Sequence, residues 1–215
     1  MANKNKKQKL IILGAGLFAQ EVADYVSKIE EYELIGFVEG IHREKCHETV
    51  LDLPVIWIDD ISRLHDSCMG ICAVGTPKRK EFIHQALSLG LKFVTIIHPG
   101  AQVSSTATLG QGTIVSPGAV VAAVTRIGSH VILNRGSLIG HHMEIGDYVT
   151  ICPGANIAGG SKIGDSSYIG MGAVVIDGIS VGNNSIVGAG SVVTKDIPSF
   201  VQVLGVPARI VKEMR

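Results

Sequence analysis

The sequence predicts an α/β N-terminal domain with a small Rossmann-like parallel sheet, followed by a prism of short parallel strands. Three observations predict it: an aliphatic residue recurs at every sixth position in the second half, a strand runs into a glycine turn and a helix near the start, and glycine is abundant. With 46% hydrophobic but only 5% aromatic residues, the core must consist of Val, Ile, Leu and Ala. The 26 glycines favour tight corners between short strands.

The aliphatic period of six runs without interruption from Ile97 to Val193. A small residue usually stands two positions before each aliphatic residue, and glycine often follows it. This period is neither the 3.6 of a helix nor the two of a plain strand, but it suits a prism with an aliphatic core. The pattern resembles the hexapeptide-repeat family, which implies a left-handed parallel β-helix with three hexads per coil. We place this domain at residues 97–197 and expect 198–215 to be a C-terminal tail.

The N-terminal half, residues 1–96, alternates predicted strands with predicted helices. The predicted strands are 9–13, 34–38, 54–57, 70–74 and 93–97, and the predicted helices are 18–29 and 80–89. Such alternation is typical of a small parallel sheet with Rossmann-like connections.

Charge and cysteine usage exclude several classes of function. The chain has 19 basic and 19 acidic residues, so no global field attracts nucleic acid or a membrane surface, and the basic run Lys4 to Lys9 is expected to be a solvated leader. Cys46, Cys68, Cys72 and Cys152 show neither a disulfide framework nor paired zinc-ligand spacing, and no stretch approaches the roughly 20 apolar residues of a membrane span. Because the leader lacks the apolar core of a signal peptide, we expect a cytoplasmic protein.

Three positions after predicted strands indicate one binding crevice. The run Gly14 to Phe18 follows the first strand and begins a helix, so its backbone N–H groups can face a phosphate. Glu39 ends the second strand, where a carboxylate can accept hydrogen bonds from a ribose or a base. Gly75 follows a later strand and can complete the crevice, with the charges of 78–80 near enough to pair with phosphates. Each position also has a structural alternative. The glycine turn can be a tight turn without a ligand, Glu39 can be a surface carboxylate, and residues 78–80 can be a solvated helix start.

Short motifs extend the pattern over nearly the whole chain. They are Gly36-Phe37-Val38-Glu39, Leu53-Pro54-Val55, Ala73-Val74-Gly75, His98-Pro99, Ile139-Gly140-His141, Ile145-Gly146-Asp147 and Gly205-Val206-Pro207-Ala208. With the glycine turn, they resemble the sialic acid O-acetyltransferase and UDP-4-amino-sugar N-acetyltransferase family. The resemblance implies acetyl transfer from acetyl-CoA to an amine or hydroxyl of a free or nucleotide-linked sugar in bacterial surface glycan synthesis. It also implies a homotrimer with acetyl-CoA between neighbouring prisms, the sugar in the N-terminal domain, and no metal.

The resemblance further implies roles for individual residues. In the family, the catalytic histidine follows an isoleucine and one further residue, as His141 does, and an asparagine lies seven residues earlier, as Asn134 does. With the adjacent His142, these are the candidate catalytic residues. The candidate substrate-binding residues are Gly14, Gly16, Leu17, Phe18, Glu39 and Gly75. The candidate cofactor-binding residues are Thr150, Gly159, Gly170, Met171, Gly188 and Ala189.

An imidazole suits this reaction because the nucleophile must lose a proton near neutral pH. Glu144 is predicted to be structural instead. Residues eighteen apart stack on neighbouring coils, so Arg126, Glu144 and Lys162 form a ladder of alternating charge. The cluster His42, Cys46 and His47 lacks a fourth ligand at matching spacing, so it is predicted to decorate a loop rather than bind a metal.

Three positions depart from the family pattern. His142 stands where Asp or Glu is common, Thr150 stands where some members carry a second histidine, and the pairs Leu17-Phe18 and Glu39-Gly40 replace other residue pairs. Two further functions on the same prism are disfavoured. A sugar-nucleotide pyrophosphorylase needs a far longer catalytic domain, and a zinc carbonic anhydrase needs three converging histidines, which residues 143–150 do not supply. A non-catalytic trimeric assembly module remains the alternative.

Overall fold

The computed structural model describes residues 7–64 and 67–214, so Lys4 to Lys6 of the basic run lie outside the described residues. The chain divides into two compact units, Met1–Ile96 and Ile97–Arg215. The first is an α/β unit and the second is a left-handed parallel β-helix, which confirms the predicted fold class. No helix in 7–64 or 67–214 is long and apolar enough to cross a membrane.

The N-terminal unit contains one six-stranded sheet in the order β3-β4-β2-β1-β5-β6. Its elements are β1 (Gln8–Leu13), α1 (Leu17–Ser27), β2 (Tyr32–Glu39), β3 (Thr49–Val50), β4 (Leu53–Trp57), β5 (Met69–Cys72), α2 (Arg79–Ser88) and β6 (Lys92–Phe93), with 3₁₀ turns at Arg43–His47 and Ile58–Arg63. Neighbouring strands are parallel except for β3 and β4. Because β1 lies between β2 and β5, the carboxyl ends of these three strands meet at one edge, where α/β folds bind ligands.

Apolar residues explain this arrangement. Leu10 to Leu13 of β1 are all buried, as expected for a central parallel strand. The predicted strand 93–97 divides into two pieces: Phe93 pairs with β5, whereas Ile96 and Ile97 form a separate strand, the first of the β-helix. Strand β5 ends at Cys72, earlier than predicted, although the backbone N–H of Ala73 still donates to the carbonyl of Leu13 at 2.8 Å.

The second unit is built from two-residue strands at intervals of six. They are β7 (Ile96–Ile97), β8 (Gln102–Val103), β9 (Thr108–Leu109), β10 (Ile114–Val115), β11 (Val120–Val121), β12 (Arg126–Ile127), β13 (Ile132–Leu133), β14 (Leu138–Ile139), β15 (Glu144–Ile145), β16 (Thr150–Ile151), β17 (Asn156–Ile157), β18 (Lys162–Ile163), β19 (Tyr168–Ile169), β20 (Val174–Val175), β21 (Ser180–Val181), β22 (Ile186–Val187) and β23 (Val192–Val193). Every third strand pairs in parallel, which gives three flat sides that we name by their strands β13, β14 and β15.

The second residue of each strand points into the prism and is buried from Val115 onward. The prediction was wrong for Ile97, which is 40% exposed, because the first coil has no earlier coil to cover it. The charge ladder is confirmed: Arg126 pairs with Glu144 and Glu144 with Lys162, whose ammonium lies 3.1 Å from the Glu144 carboxylate.

Residues 198–215 differ from the expected tail. They contain β24 (Val201–Gly205) and β25 (Ala208–Glu213), an antiparallel pair that extends the β13 side. Val203 is fully buried and pairs with Val187, sixteen rather than eighteen residues earlier. The prism therefore gains one more layer, which a strict step of six cannot detect because this coil is two residues shorter.

Candidate functional site

A cleft of about 620 Å³ opens at the carboxyl edge of the N-terminal sheet. All six candidate substrate-binding residues line it: Gly14, Gly16, Leu17, Phe18, Glu39 and Gly75. They come together because each follows or ends one of the three strands whose carboxyl ends meet there.

The glycine turn between β1 and α1 lines one side of the cleft with backbone, although the N–H of Gly14 itself donates to the carbonyl of Val38 at 2.9 Å. Gly14 has a φ of +105°, and a Cβ there would lie 3.2 Å from a methyl carbon of Val74, so only glycine fits without strain. Gly16 precedes α1, and within the described ranges no side chain caps it and no acidic residue stands in the first turn. The positive end of the helix is therefore open to an anion.

Glu39 has a structural role that the sequence did not reveal. Its Oε1 accepts hydrogen bonds from the backbone N–H groups of Gly40, Ile41 and His42, at 2.9, 2.9 and 3.3 Å. Burial alone would raise the pKa of this carboxyl, but these bonds and the nearby Lys45 outweigh burial and lower the pKa below its ordinary value. Glu39 is thus anionic at neutral pH and fixes the loop that follows β2, which leaves Oε2 as its remaining acceptor.

Sequence reasoning missed the wall that α2 contributes to the cleft. Phe82 lines it, and its ring packs so closely on Gly40 that a Cβ there would lie 2.5 Å from a ring carbon. Lys78 is exposed at the cleft, but Arg79 is only 1% exposed. The predicted phosphate-pairing role therefore fits Lys78 better than Arg79. The predicted helix 80–89, which follows the strand before Gly75, was the available signal for this wall.

The histidine pair stands exposed at the corner between the β14 and β15 sides. Nδ1 of His141 lies 3.1 Å from Nδ1 of His142, and the rings meet edge to face with centroids 5.2 Å apart. His142 has a φ of +55°, the left-handed conformation that turns the chain at a corner. The two neighbouring side chains share one hydrogen bond at this corner.

Gly159 lies one coil beyond His141, and its backbone packs against the His141 ring with no side chain between them. A Cβ at Gly159 would lie 2.7 Å from Cε1 and 2.8 Å from Nε2 of His141. The backbone N–H of Gly160 donates to the carbonyl of His141 at 2.9 Å, which locks the two coils in register. The eighteen-residue spacing places Gly159 here, so this contact was available from the sequence.

The other candidate cofactor-binding residues lie near the preceding corner, between the β13 and β14 sides. Met171 and Ala189 are exposed there, whereas Gly170 and Gly188 are buried beneath the next layer. A Cβ on either would collide with that layer, which restricts both positions to glycine. Their cofactor-binding role stays a prediction. Thr150 is only 2% exposed in the single chain, and its cofactor-binding role also stays a prediction.

Asn134 belongs to this same preceding corner, where its side-chain oxygen accepts the N–H of Arg135 at 2.9 Å. Within one chain, the β14 side separates Asn134 from the histidine pair. The structure therefore does not bring the three candidate catalytic residues together. Among residues 7–64 and 67–214, no three His, Cys, Asp or Glu side chains gather as a metal site.

Two family models match the chain. The PglD N-terminal domain matches residues 9–87, and the bacterial transferase hexapeptide model matches residues 160–195. None of the curated proteins matches.

Solved structures resemble the chain along nearly its whole length. PerB from Caulobacter crescentus, solved with CoA and GDP-perosamine, is 31% identical over 95% of this chain and 97% of its own, with a TM-score of 0.88. Two further structures of this perosamine N-acetyltransferase carry a histidine replaced by asparagine or alanine. The acetyltransferase domain of PglB from Neisseria gonorrhoeae is 32% identical over 95% of this chain and all of its own, with a TM-score of 0.87.

A third relative, WeeI from Acinetobacter baumannii, is 27% identical over 95% of this chain and 100% of its own, with a TM-score of 0.87. Each relative shares both units of this chain. The protein therefore belongs to the family of hexapeptide-repeat sugar acetyltransferases that carry a PglD-type N-terminal domain.

Proposed function

We propose that the protein transfers the acetyl group of acetyl-CoA to the amino group of a nucleotide-linked amino sugar, with His141 as general base. One observation carries the proposal: a cleft of bare backbone N–H groups and an exposed histidine pair occur in one chain that matches amino-sugar N-acetyltransferases over 95% of its length. The relative with GDP-perosamine supports an amine acceptor and a nucleotide carrier.

The proposed reaction needs one proton acceptor. The lone pair of the sugar amine attacks the thioester carbonyl, and the C–N bond forms as the amine loses a proton to His141. The C–S bond then breaks, and the departing thiolate receives that proton, so the histidine is neutral again. The open N-terminus of α1 suits the diphosphate of the acceptor, because backbone N–H groups and the helix dipole both favour negative charge.

A screen of thiol release tests this function. We expect thiol release from acetyl-CoA, together with an N-acetylated product, when UDP-, GDP- or dTDP-linked amino sugars are supplied. CMP-sialic acid and free sialic acid, which offer hydroxyls, serve as the comparison. Release with the hydroxyl acceptors alone would contradict amine transfer. No release with any acceptor, and no binding of CoA, would favour the non-catalytic assembly module.

We further propose a homotrimer in which each acetyl-CoA site lies between two subunits. Met171, Ala189 and Asn134 lie at one corner and His141 at the next, so a site that needs both sets is incomplete within one chain. The β14 side exposes Leu138 and Val174 at 42% and 37%, which suits burial against a neighbour.

Sedimentation tests the trimer and the side that forms it. The wild-type chain is expected to sediment as a trimer at micromolar concentration. Leu138→Glu is expected to dissociate it, because a carboxylate would be buried without a partner. Thr108→Glu on the charged β15 side is the matched control and should remain trimeric. A wild-type monomer, or equal dissociation of both variants, would contradict the proposal.

A further inference from the structure

The two rings of the histidine pair meet through the same atom, Nδ1, at 3.1 Å. A neutral imidazole carries its proton on one nitrogen, so a hydrogen bond between two Nδ1 atoms requires one ring to donate and the other to accept. The contact therefore has two possible directions, and they differ in chemistry.

Only one direction leaves His141 able to act as the proposed base. If His141 donates from Nδ1, its Nε2 keeps a free lone pair and can take the proton of a substrate amine. If His142 donates instead, His141 holds its own proton on Nε2 and cannot accept another there. Nδ1 of His141 cannot replace Nε2, because His142 already occupies it.

The remaining surroundings hold the ring without selecting a direction. Gly159 supports His141 with backbone alone. Within residues 7–64 and 67–214, neither ring has another hydrogen-bond partner. A neutral histidine side chain in water favours the form with its proton on Nε2, which is the inactive form here. His141 therefore needs a neighbour that accepts a hydrogen bond at Nδ1.

We propose that His142 is a positioning residue that accepts the Nδ1–H of His141 and so keeps Nε2 of His141 free as the base. His142 must then carry its own proton on Nε2, away from His141. A neutral ring thus supplies the acceptor where the family pattern commonly has a carboxylate. This inference rests on the proposed function, because it assigns a purpose to the tautomer of the proposed base.

Variants at His142 can remove or replace its hydrogen-bond acceptor while the left-handed backbone conformation at this position is kept. His142→Gly removes the acceptor, and the backbone accommodates glycine because Gly160, at the equivalent position one coil later, has a φ of +71°. His142→Asp restores an acceptor with a residue type that tolerates the left-handed region. Val124→Gly is the matched control: Val124 occupies the same position one coil earlier, with a φ of +60°.

Nitrogen-15 NMR of histidine-labelled protein, at a pH where both rings are neutral, reads the tautomer without turnover. His141 is expected to carry its proton on Nδ1 in the wild type, His142→Asp and Val124→Gly, and to shift toward Nε2 in His142→Gly. The kcat of His142→Gly should fall about 3- to 10-fold, the equilibrium factor of one hydrogen bond. It should recover in His142→Asp, with an unchanged KM for acetyl-CoA throughout.

A wild-type His141 with its proton on Nε2 would overturn the inference. So would a His142→Gly variant that matches the wild type in both spectrum and kcat. If the wild type acetylated no amino sugar, the proposed function would fail, while the spectra would still decide the direction of the hydrogen bond.

Discussion

The cleft of the N-terminal unit and the histidine corner of the prism are built in opposite ways. Around the strand ends the cleft presents backbone, at Gly14, Gly16 and Gly75, together with a carboxylate, Glu39, whose Oε1 is already satisfied internally. The corner presents two exposed side chains that stand on bare backbone at Gly159. Fixed backbone groups suit recognition, whereas an exposed imidazole suits proton transfer. Binding and chemistry should therefore be separable by mutation.

The largest effect is expected from His141→Ala. Loss of the general base should lower kcat by roughly 10²- to 10⁴-fold. The KM for the acceptor sugar should change little, because the acceptor is proposed to bind in the cleft. Since His141 is exposed, the free energy of unfolding should stay within about 0.5 kcal/mol of the wild type. Initial rates and urea unfolding measure these quantities. A normal kcat would show that the histidine corner takes no part in the reaction.

Gly75→Asp should produce the converse effect. A Cβ at Gly75 meets nothing within 4 Å, so the new side chain fits without strain and places a carboxylate in the cleft. Repulsion of the acceptor's phosphates should raise its KM about 10- to 100-fold, while the affinity for acetyl-CoA stays unchanged. Gly75→Asn, which has the same shape without the charge, should have a smaller effect. Titration of the acceptor and of acetyl-CoA in separate experiments checks that the cleft binds only the acceptor. Equal loss of both affinities would contradict this.

Gly159→Ala tests whether the corner depends on its bare support. The added Cβ would lie within 3 Å of the His141 ring and displace it, so kcat should fall about 10-fold. Ala123 occupies the same column two coils before Gly159, so the backbone of this column accepts alanine, and Ala123→Gly is the matched control with normal kcat. A large rise in the KM for acetyl-CoA without a fall in kcat would instead support the cofactor-binding role that the sequence suggested for Gly159.

The sequence predicted the prism better than any other part, because one inward aliphatic residue per side is a strict physical requirement. The prediction failed at the two ends of the prism, where the inward positions no longer follow the regular spacing and burial of the middle coils. Ile97 keeps the pattern at an end that no earlier coil covers. Ile197 and Val203 continue the core out of step, since the last coil is two residues shorter.

The candidate site was only partly predictable, for a related reason. Strand ends and the eighteen-residue stacking follow from the sequence, so the cleft residues and the position of the histidine corner could be found. Hydrogen bonds within a loop, such as those that saturate Oε1 of Glu39, depend on backbone geometry that no spacing encodes. Thr150 is buried because of its place on the β13 side, and Asn134 and His141 are separated because they lie at different corners.

The smallest effect is expected at Glu39. Its pKa in the folded protein is lowered from the ordinary value of 4.5. The ionised carboxylate therefore stabilises the folded state above pH 4.5, and this contribution is lost as the pH falls through the lowered pKa.

Glu39→Gln keeps an oxygen that can accept the three backbone hydrogen bonds but removes the charge. The difference in unfolding free energy between wild type and Glu39→Gln should be constant above pH 4.5 and should shrink below it, as urea titrations at several pH values can measure. A difference that does not vary with pH would mean that the charge does not stabilise the loop. The KM for the acceptor should rise far less than in Gly75→Asp, because the main task of Glu39 is to hold the loop over residues 40–42. If instead the two variants raised that KM equally, Oε2 of Glu39 would be a direct ligand, and the cleft would recognise its substrate with this carboxylate as well as with backbone groups and Lys78.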